Sequence, residues 1–252
     1  EEIEVYNEFF KRAAGDKKNI KALVLGATPE LRDVAIGLGA DTLAVDLSEK
    51  LLIALSDVMK HKNSEKNRCM KWDWLKMDRL LEPKSFDIVM ADCSLNNVPA
   101  EDNRTLMNIV RGLLRKEGYF ITRNIVDLTR EEKPIKDFAE EYNQGKNTPL
   151  GIFIEMGLYS IFAKKAYDKN KCEIFWSRIT QGMIDALNNE LSEEDLAYIE
   201  SIRKHADTHS TIVMPKQRFE DLLRTHFHLE DIRSLERYAY TKSIPIYLLK
   251  KK

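Results

Sequence analysis

The chain has 252 residues, 43% hydrophobic and 32% charged, with 40 Lys and Arg against 41 Asp and Glu for a formal charge of −1. This balance excludes an intrinsically disordered chain, a collagen-like repeat and a disulfide scaffold, and the length suits one large domain or one domain with a substantial insertion. Near-zero charge provides no global pull toward phosphate backbones or anionic membranes, although a local patch stays open.

Residues 1–14 predict an amphipathic helix, with Tyr6, Phe9, Phe10 and Ala13 at helical spacing and Gly15 as its stop. The run KALVLG at 21–26 reads as a buried parallel strand. A helix bearing Leu31, Val34, Ala35 and Leu38 follows, then a second strand at 42–45 that ends at Asp46. Ser48 can cap the next helix through its hydroxyl. A third strand is expected at 68–72 with Asp73 just past it, and a fourth at 86–91 ending at Asp92. Residues 102–114 predict a helix broken by Gly118, and 119–122 a fifth strand.

From about 126 to 213 the patterns are helical and no strand is predicted. One stripe comprises Ile135, Phe138, Ala139 and Tyr142, and a second runs from Ile152 and Phe153 to Ile161 and Phe162. A third contains Phe175, Ile179, Met183, Ile184 and Leu187, and Ser192 opens a further helix carrying Leu196, Ile199 and Ile202. Packing is the ordinary reading of such stripes; the functional one is that some line a substrate cavity. A helix opened by Pro215 and two strands, 227–234 and 244–249, complete the chain.

Strand and helix in alternation imply a parallel sheet covered on both faces, with ligands beyond the carboxyl ends of its strands. Those ends carry Gly26-Ala27-Thr28, Asp46, Asp73 and Asp92. A glycine at the first turn and an acid at the second strand end suit a nucleoside, because backbone can approach the ligand and a carboxylate can accept from both ribose hydroxyls. Helix capping is the competing role for such an acid. The turn lacks G-x-G-x-x-G: Pro29 has no N–H and Glu30 brings negative charge, both poor for a pyrophosphate. No P-loop pattern occurs. A ligand with a cationic centre and an amino-acid tail meets neither obstacle.

The segments ALVLGATPE (22–30), TLAVDLS (42–48), MKWDWLKM (70–77), FDIVMADCSLNNVP (86–99) and LLRKEGYFITRN (113–124) resemble the class I S-adenosylmethionine-dependent methyltransferases. The resemblance covers roughly 20–124 and 214–250. It implies a doubly wound, mostly parallel seven-stranded α/β sheet of Rossmann-like type with a helical insertion after the fifth strand. The cofactor core would comprise 1–126 and 214–252, and a helical cap or lid 127–213. By this resemblance Gly26, Ala27 and Thr28 back the methionine part of S-adenosyl-L-methionine. Asp46 holds the ribose with Leu47 against the adenine, and Asp73 accepts from the adenine amino group with Trp74 beside the ring. Asp92, Cys93 and Ser94 face the methionine moiety or the methyl group, with Asn97 nearby.

Two departures from the family are visible: the turn has a single glycine, and Val24 stands where an acid is usual. Arg32 is expected either to pair with the cofactor carboxylate or to form a surface salt bridge with Glu30. Methyl transfer needs alignment more than acid catalysis, so no catalytic residue is assigned. His205 and His209, with Asp207 between them, read as exposed histidines, one of them a possible general base. Glu155 is expected in solvent, with a raised pKa if it faces a pocket instead. The aromatic face of 1–14 is expected in the core, a sulfonium-facing role being the alternative.

The leading expectation is methyl transfer to O, N, S or C of a small molecule enclosed by the cap. RNA or protein methylation, a non-catalytic S-adenosylmethionine-binding protein and a nicotinamide oxidoreductase are the alternatives. The charge balance and the run Ala91-Asp92-Cys93-Ser94, which is not a DNA-amine motif, disfavour nucleic acid. Three scattered cysteines, Cys69, Cys93 and Cys172, suit a reducing cytoplasm and no structural zinc. No apolar run reaches the ~18 residues of a membrane span, and Glu1-Glu2-Ile3-Glu4 does not resemble a signal peptide.

Overall fold

A computed structural model describes residues 1–160, 163–178, 180–187, 190–206 and 210–252. In chain order its elements begin with α1 (Glu2–Ala14), β1 (Lys21–Leu25), α2 (Pro29–Gly37), β2 (Asp41–Asp46), α3 (Glu49–Asp57) and β3 (Asn67–Lys71). β4 (Phe86–Asp92), α4 (Asn103–Leu113), β5 (Leu114–Arg123), β6 (Val126–Asp127), α5 (Ile135–Asn143), α6 (Pro149–Tyr159) and α7 (Ala163–Ala166) follow. Then come β7 (Tyr167–Asp168), β8 (Glu173–Phe175), α8 (Thr180–Leu187), α9 (Glu193–Ala206), β9 (Ser210–Ile212) and β10 (Met214–Pro215). The last three are α10 (Lys216–His226), β11 (Phe227–Arg233) and β12 (Ile246–Lys251).

The chain divides into two compact units. The first comprises Glu1–Asn124, Glu220–Arg233 and Ile246–Lys252; the second comprises Ile125–Phe219 and Ser234–Pro245. The segment between the last two strands thus belongs to the second unit.

The first unit is built on a seven-stranded sheet in the order β11-β12-β5-β4-β1-β2-β3. β1 to β5 pair in parallel, and β12 is antiparallel to both β5 and β11. The chain enters at β1, winds outward through β2 and β3, then returns to start β4 on the other side of β1. Open α/β sheets bind their ligands at such a reversal, here at the carboxyl ends of β1 and β4. Parallel strands are covered on both faces, which is why KALVL and FDIVMAD are almost wholly buried. On one face the core gathers Tyr6, Phe9, Phe10 and Ala13 of α1, Leu31 and Val34 of α2, and Val24, Ile88 and Met90 of the sheet. Each large apolar side chain buried there contributes about 1.5–3 kcal/mol.

Two local features differ from expectation. Gly118 does not stop a helix: α4 ends at Leu113 and the chain passes straight into β5, which contains Gly118. The register with β4 jumps there, Phe86 facing Leu114 but Ile88 facing Tyr119, so the glycine sits in a bulge. The second unit also holds strands where none was predicted. β7, β8 and β9 form a small antiparallel sheet, and β10 pairs with β6. Phe175, placed by spacing on a helical stripe, lies in β8. Strands of two or three residues are too short to display a period of two.

The second unit has its own core of Phe138, Ile152, Phe153, Met156, Leu187 and Ile199, with Phe153 stacked on Trp176 at 4.9 Å between centroids. The expected stripe residues Ile161, Phe162 and Ile179 fall outside the described residues, as do Asp207 and His209. The side chains of Met183, Ile184, Ile202 and His205 fall outside them too. No helix among the described residues is long and apolar enough to cross a membrane.

Candidate active site

Register aligns the strand ends. Leu25 pairs with Val45 on one side and Ala91 on the other, so Gly26 continues level with Asp46 and Asp92. Asp46 pairs in turn with Lys71, and Asp92 with Arg123. The row across the sheet edge therefore reads Lys71, Asp46, Gly26, Asp92, Arg123, with the glycine at the switch point.

Gly26 has φ of 111°, a conformation open to glycine and strained for any L side chain. A Cβ built on it would lie 3.8 Å from Thr28 Oγ1 and 3.9 Å from both Asp46 Oδ2 and Trp74 Cζ2. The missing side chain thus leaves a cradle walled by a hydroxyl, a carboxylate oxygen and an indole edge. The backbone N–H of Gly26 donates to Val45 O at 2.8 Å, and the Trp74 indole N–H donates to the same carbonyl at 2.6 Å. Asp46 turns Oδ1 to the Ser48 N–H at 2.7 Å. Ser48 in turn caps α3 by accepting from Leu51 N–H, as its position in the sequence predicts. The cap of α3 is therefore Ser48 and not Asp46.

The other predicted residues take distinct places. Ala27 buries its methyl in the core, so only its backbone is available to a ligand. Leu47 is 66% exposed, an apolar side chain without cover beside Asp46. Asp73 accepts from Leu75 N–H at 3.0 Å and pairs with Lys76 at 2.9 Å. The lysine contact, then the backbone bond, hold its carboxyl below the usual aspartate range. Asp73 lies two residues beyond Lys71, the neighbour of Asp46 across the β2–β3 ladder, and the Trp72 N–H bonds Asp46 O at 3.0 Å. Both acids therefore stand at the same edge of the sheet. Ser94 is buried and donates to Leu25 O at 2.7 Å, tying the turn after β4 to the end of β1. Cys93 adopts φ of 52°, and burial together with the Asp92 charge pushes its thiol pKa up. Asn97 donates to Cys93 O at 3.2 Å and so holds that turn.

Asp92 is the most heavily engaged of the set. Arg123 grips both of its oxygens, Nε to Oδ1 at 2.6 Å and an Nη to Oδ2 at 2.9 Å. The same guanidinium pairs with Glu2 of α1 at 2.5 Å. Although burial opposes it, the Asp92 carboxylate keeps Arg123 firmly protonated. Tyr6 of α1 donates to Ala91 O at 3.0 Å, a second tie from that helix to the end of β4. Sequence reasoning missed Arg123 and Glu2. The available signal was a basic residue one position past the predicted fifth strand, level with an acid ending the fourth.

Arg32 corrects both of its expected roles. It is fully buried and bonds Ser56 Oγ at 2.7 Å, Asn67 Oδ1 at 2.8 Å and Cys69 Sγ at 3.0 Å. It therefore joins α2 to α3 and β3, and neither Glu30 nor a ligand at the sheet edge is its partner. Glu155 is likewise not in solvent: it is 1% exposed inside the second unit. The aromatic residues of α1 are core, as expected.

The cradle at Gly26 fits a nucleoside with a compact cationic tail. It admits close approach to backbone, offers the free oxygen of Asp46, and places an indole edge and an exposed leucine nearby. It offers no series of N–H groups for a pyrophosphate. Residues 28–181, more than half of the chain, match the model of a family described as a methyltransferase domain, and the chain belongs to that family. The matched segment begins just after Gly26. The chain also shares its fold with the PH0226 protein of Pyrococcus horikoshii OT3 (16% identity, TM-score 0.61, covering 100% of this chain and 90% of that one). Two further neighbours were solved with S-adenosylhomocysteine. One is the 1,6-didemethyltoxoflavin-N1-methyltransferase of Burkholderia thailandensis (14% identity, TM-score 0.53, covering 99% and 78%). The other is the N-methyltransferase NodS of Bradyrhizobium japonicum WM9 (9% identity, TM-score 0.53, covering 98% and 86%). No curated protein matches the sequence. The protein is a class I S-adenosylmethionine-dependent methyltransferase.

Proposed function

We propose that the protein methylates a small molecule, and that Gly26, Thr28, Asp46 and Trp74 form the centre of its cofactor site. The observation that carries this reading is the single cradle at the switch point, where the one residue without a side chain faces the other three. S-adenosylmethionine supplies a methyl group on a sulfonium, whose neutral sulfide leaving group needs no acid. The protein's part is then to bind and orient. Asp46 would accept from the ribose hydroxyls, Leu47 and Trp74 would cover the adenine, and Asp73 would accept from its amino group. The backbone of Gly26 to Thr28 would lie along the methionine part. The Asp92–Arg123–Glu2 clamp and the Ser94 bond to Leu25 would fix the turn after β4 at the same sheet edge. Orientation of this kind can lower a barrier by as much as about 7–11 kcal/mol.

A small-molecule acceptor is favoured by the near-zero net charge and by a second unit with its own cavity, which we read as the substrate-selecting insertion. The neighbour from Burkholderia thailandensis, which holds 1,6-didemethyltoxoflavin, supports the same reading. A cytoplasmic location goes with it, in keeping with three free cysteines. The test is calorimetric titration with S-adenosylhomocysteine, followed by a metabolite screen with isotopically labelled methyl donor. Saturable binding and label in a small molecule are expected. Label appearing only in RNA or protein would overturn the acceptor class, and absence of binding would overturn the site.

A further inference from the structure

The second unit contains a cavity of about 590 Å3 lined by its own residues. That volume is in the range of small-ligand sites. Its wall carries the cations Arg130 and Lys169, the carboxylates Asp127 and Glu132, and the phenols Tyr159 and Tyr167. Several of these groups serve their own backbone. Asp127 Oδ1 accepts from Thr129 N–H at 2.7 Å, and Tyr167 donates to Val213 O at 2.7 Å. The Tyr159 hydroxyl accepts from Leu128 N–H at 2.9 Å and bonds Ser243 Oγ at 3.2 Å.

Arg130 is held differently, from within the protein. Its Nη1 donates to Glu155 Oε1 at 3.2 Å, and its guanidinium lies over the Tyr159 ring at 5.4 Å from the centroid. Glu155 is 1% exposed and accepts from Asn147 Nδ2 at 2.9 Å through its other oxygen. Asn147 is placed by Gly151: a Cβ there would stand 2.1 Å from Asn147 Oδ1 and 2.2 Å from the Tyr240 ring. Glycine, amide and buried carboxylate thus form a chain whose last member fixes one arginine at the cavity wall. Burial pushes the Glu155 carboxyl up, a cost the fold accepts to keep this contact. A guanidinium has five N–H donors in a rigid fork suited to planar anions, and the contact to Glu155 uses one.

We propose that this cavity binds a small organic carboxylate, with Arg130 as the anion receptor and Glu155 as the positioning residue that aligns it. The proposal rests on the small-molecule methyltransferase reading and gives the acceptor a class, a compound bearing a carboxylate. The test uses the full chain and two probes of nearly equal shape, benzoate and benzamide, titrated by ligand-observed NMR, with S-adenosylhomocysteine titrated separately. Benzoate should bind at least tenfold more tightly than benzamide. Arg130→Met should abolish that preference while the affinity for S-adenosylhomocysteine holds; its melting temperature should fall, because Glu155 loses its cation, and both titrations are run well below the new Tm. Arg130→Lys should retain only part of it, since a point charge lacks the fork. Glu155→Gln, which keeps the shape, should reduce the ratio of the two affinities, a change that a purely structural role would not produce. Equal binding of the two probes, a preference for benzylamine through Asp127 and Glu132, or an unchanged ratio in Arg130→Met would overturn the proposal. Benzoate selectivity without S-adenosylhomocysteine binding would uphold the cavity and defeat the methyltransferase site.

Discussion

Gly26→Ala probes the site at its most constrained point. The added methyl meets nothing closer than 3.8 Å, so no clash contributes. The cost comes from the backbone, held at φ of 111°, where an L residue carries about 1–3 kcal/mol of strain. For a chain of this size each kcal/mol lowers Tm by about 2–4 °C, so thermal melting should fall by about 2–12 °C. The same methyl projects into the space between Asp46 Oδ2 and Trp74, where the ligand would meet the backbone. S-adenosylhomocysteine affinity should therefore drop at least tenfold, about 1.4 kcal/mol. Calorimetry at a temperature well below the new Tm separates the two effects. A variant that melts earlier but binds with unchanged affinity would show that the glycine serves the turn alone, and would refute the reasoning.

Asp46→Ala should weaken S-adenosylhomocysteine binding by at least ~1 kcal/mol, the scale of a lost charged hydrogen bond. Its Tm should fall by only a few degrees, the cost of the lost bond to Ser48 N–H, because the cap of α3, Ser48, stays in place. Arg123→Met leaves Asp92 and Glu2 without their cation and should destabilise by about 2 kcal/mol in denaturant titration, below the fully buried case because the three side chains keep some solvent. Arg123→Lys should recover less than half of that loss, since one ammonium cannot span both Asp92 oxygens. Asp73 is held below its usual range, so its bonds to Lys76 and Leu75 are intact above the ordinary aspartate value of 3.8 and are lost as pH falls beneath it. S-adenosylhomocysteine affinity should accordingly show no carboxylate midpoint between pH 5.5 and 8; a midpoint there that disappears in Asp73→Asn would contradict this assignment.

The candidate site was largely legible because its residues follow buried strands. A run such as KALVLG or FDIVMAD announces its own end, and in a parallel sheet those ends meet at one edge whatever the intervening helices do. Gly26, Asp46, Asp73 and Asp92 could therefore be named from spacing. The partners of those residues could not. Arg123 lies 31 positions from Asp92, and only the pairing of β4 with β5 makes them neighbours. The bulge at Gly118 set that register, and a lone glycine after a helix reads equally well as a stop.

Side chains with two chemistries were the least legible. Arg32 and Glu155 are charged and sit where spacing permits exposure, yet both are buried, because other elements bring Ser56, Asn67 and Cys69 to the one and Arg130 and Asn147 to the other. The short strands of the second unit belong to the same class. What the sequence determined by itself was local periodicity: the order of strands and helices, and the polar residues at which they stop. What the tertiary structure decided was which charges meet. A buried charge is tolerated only where hydrogen-bonding groups or an opposite charge satisfy it, and those partners are a matter of distance in space, which no window of sequence records.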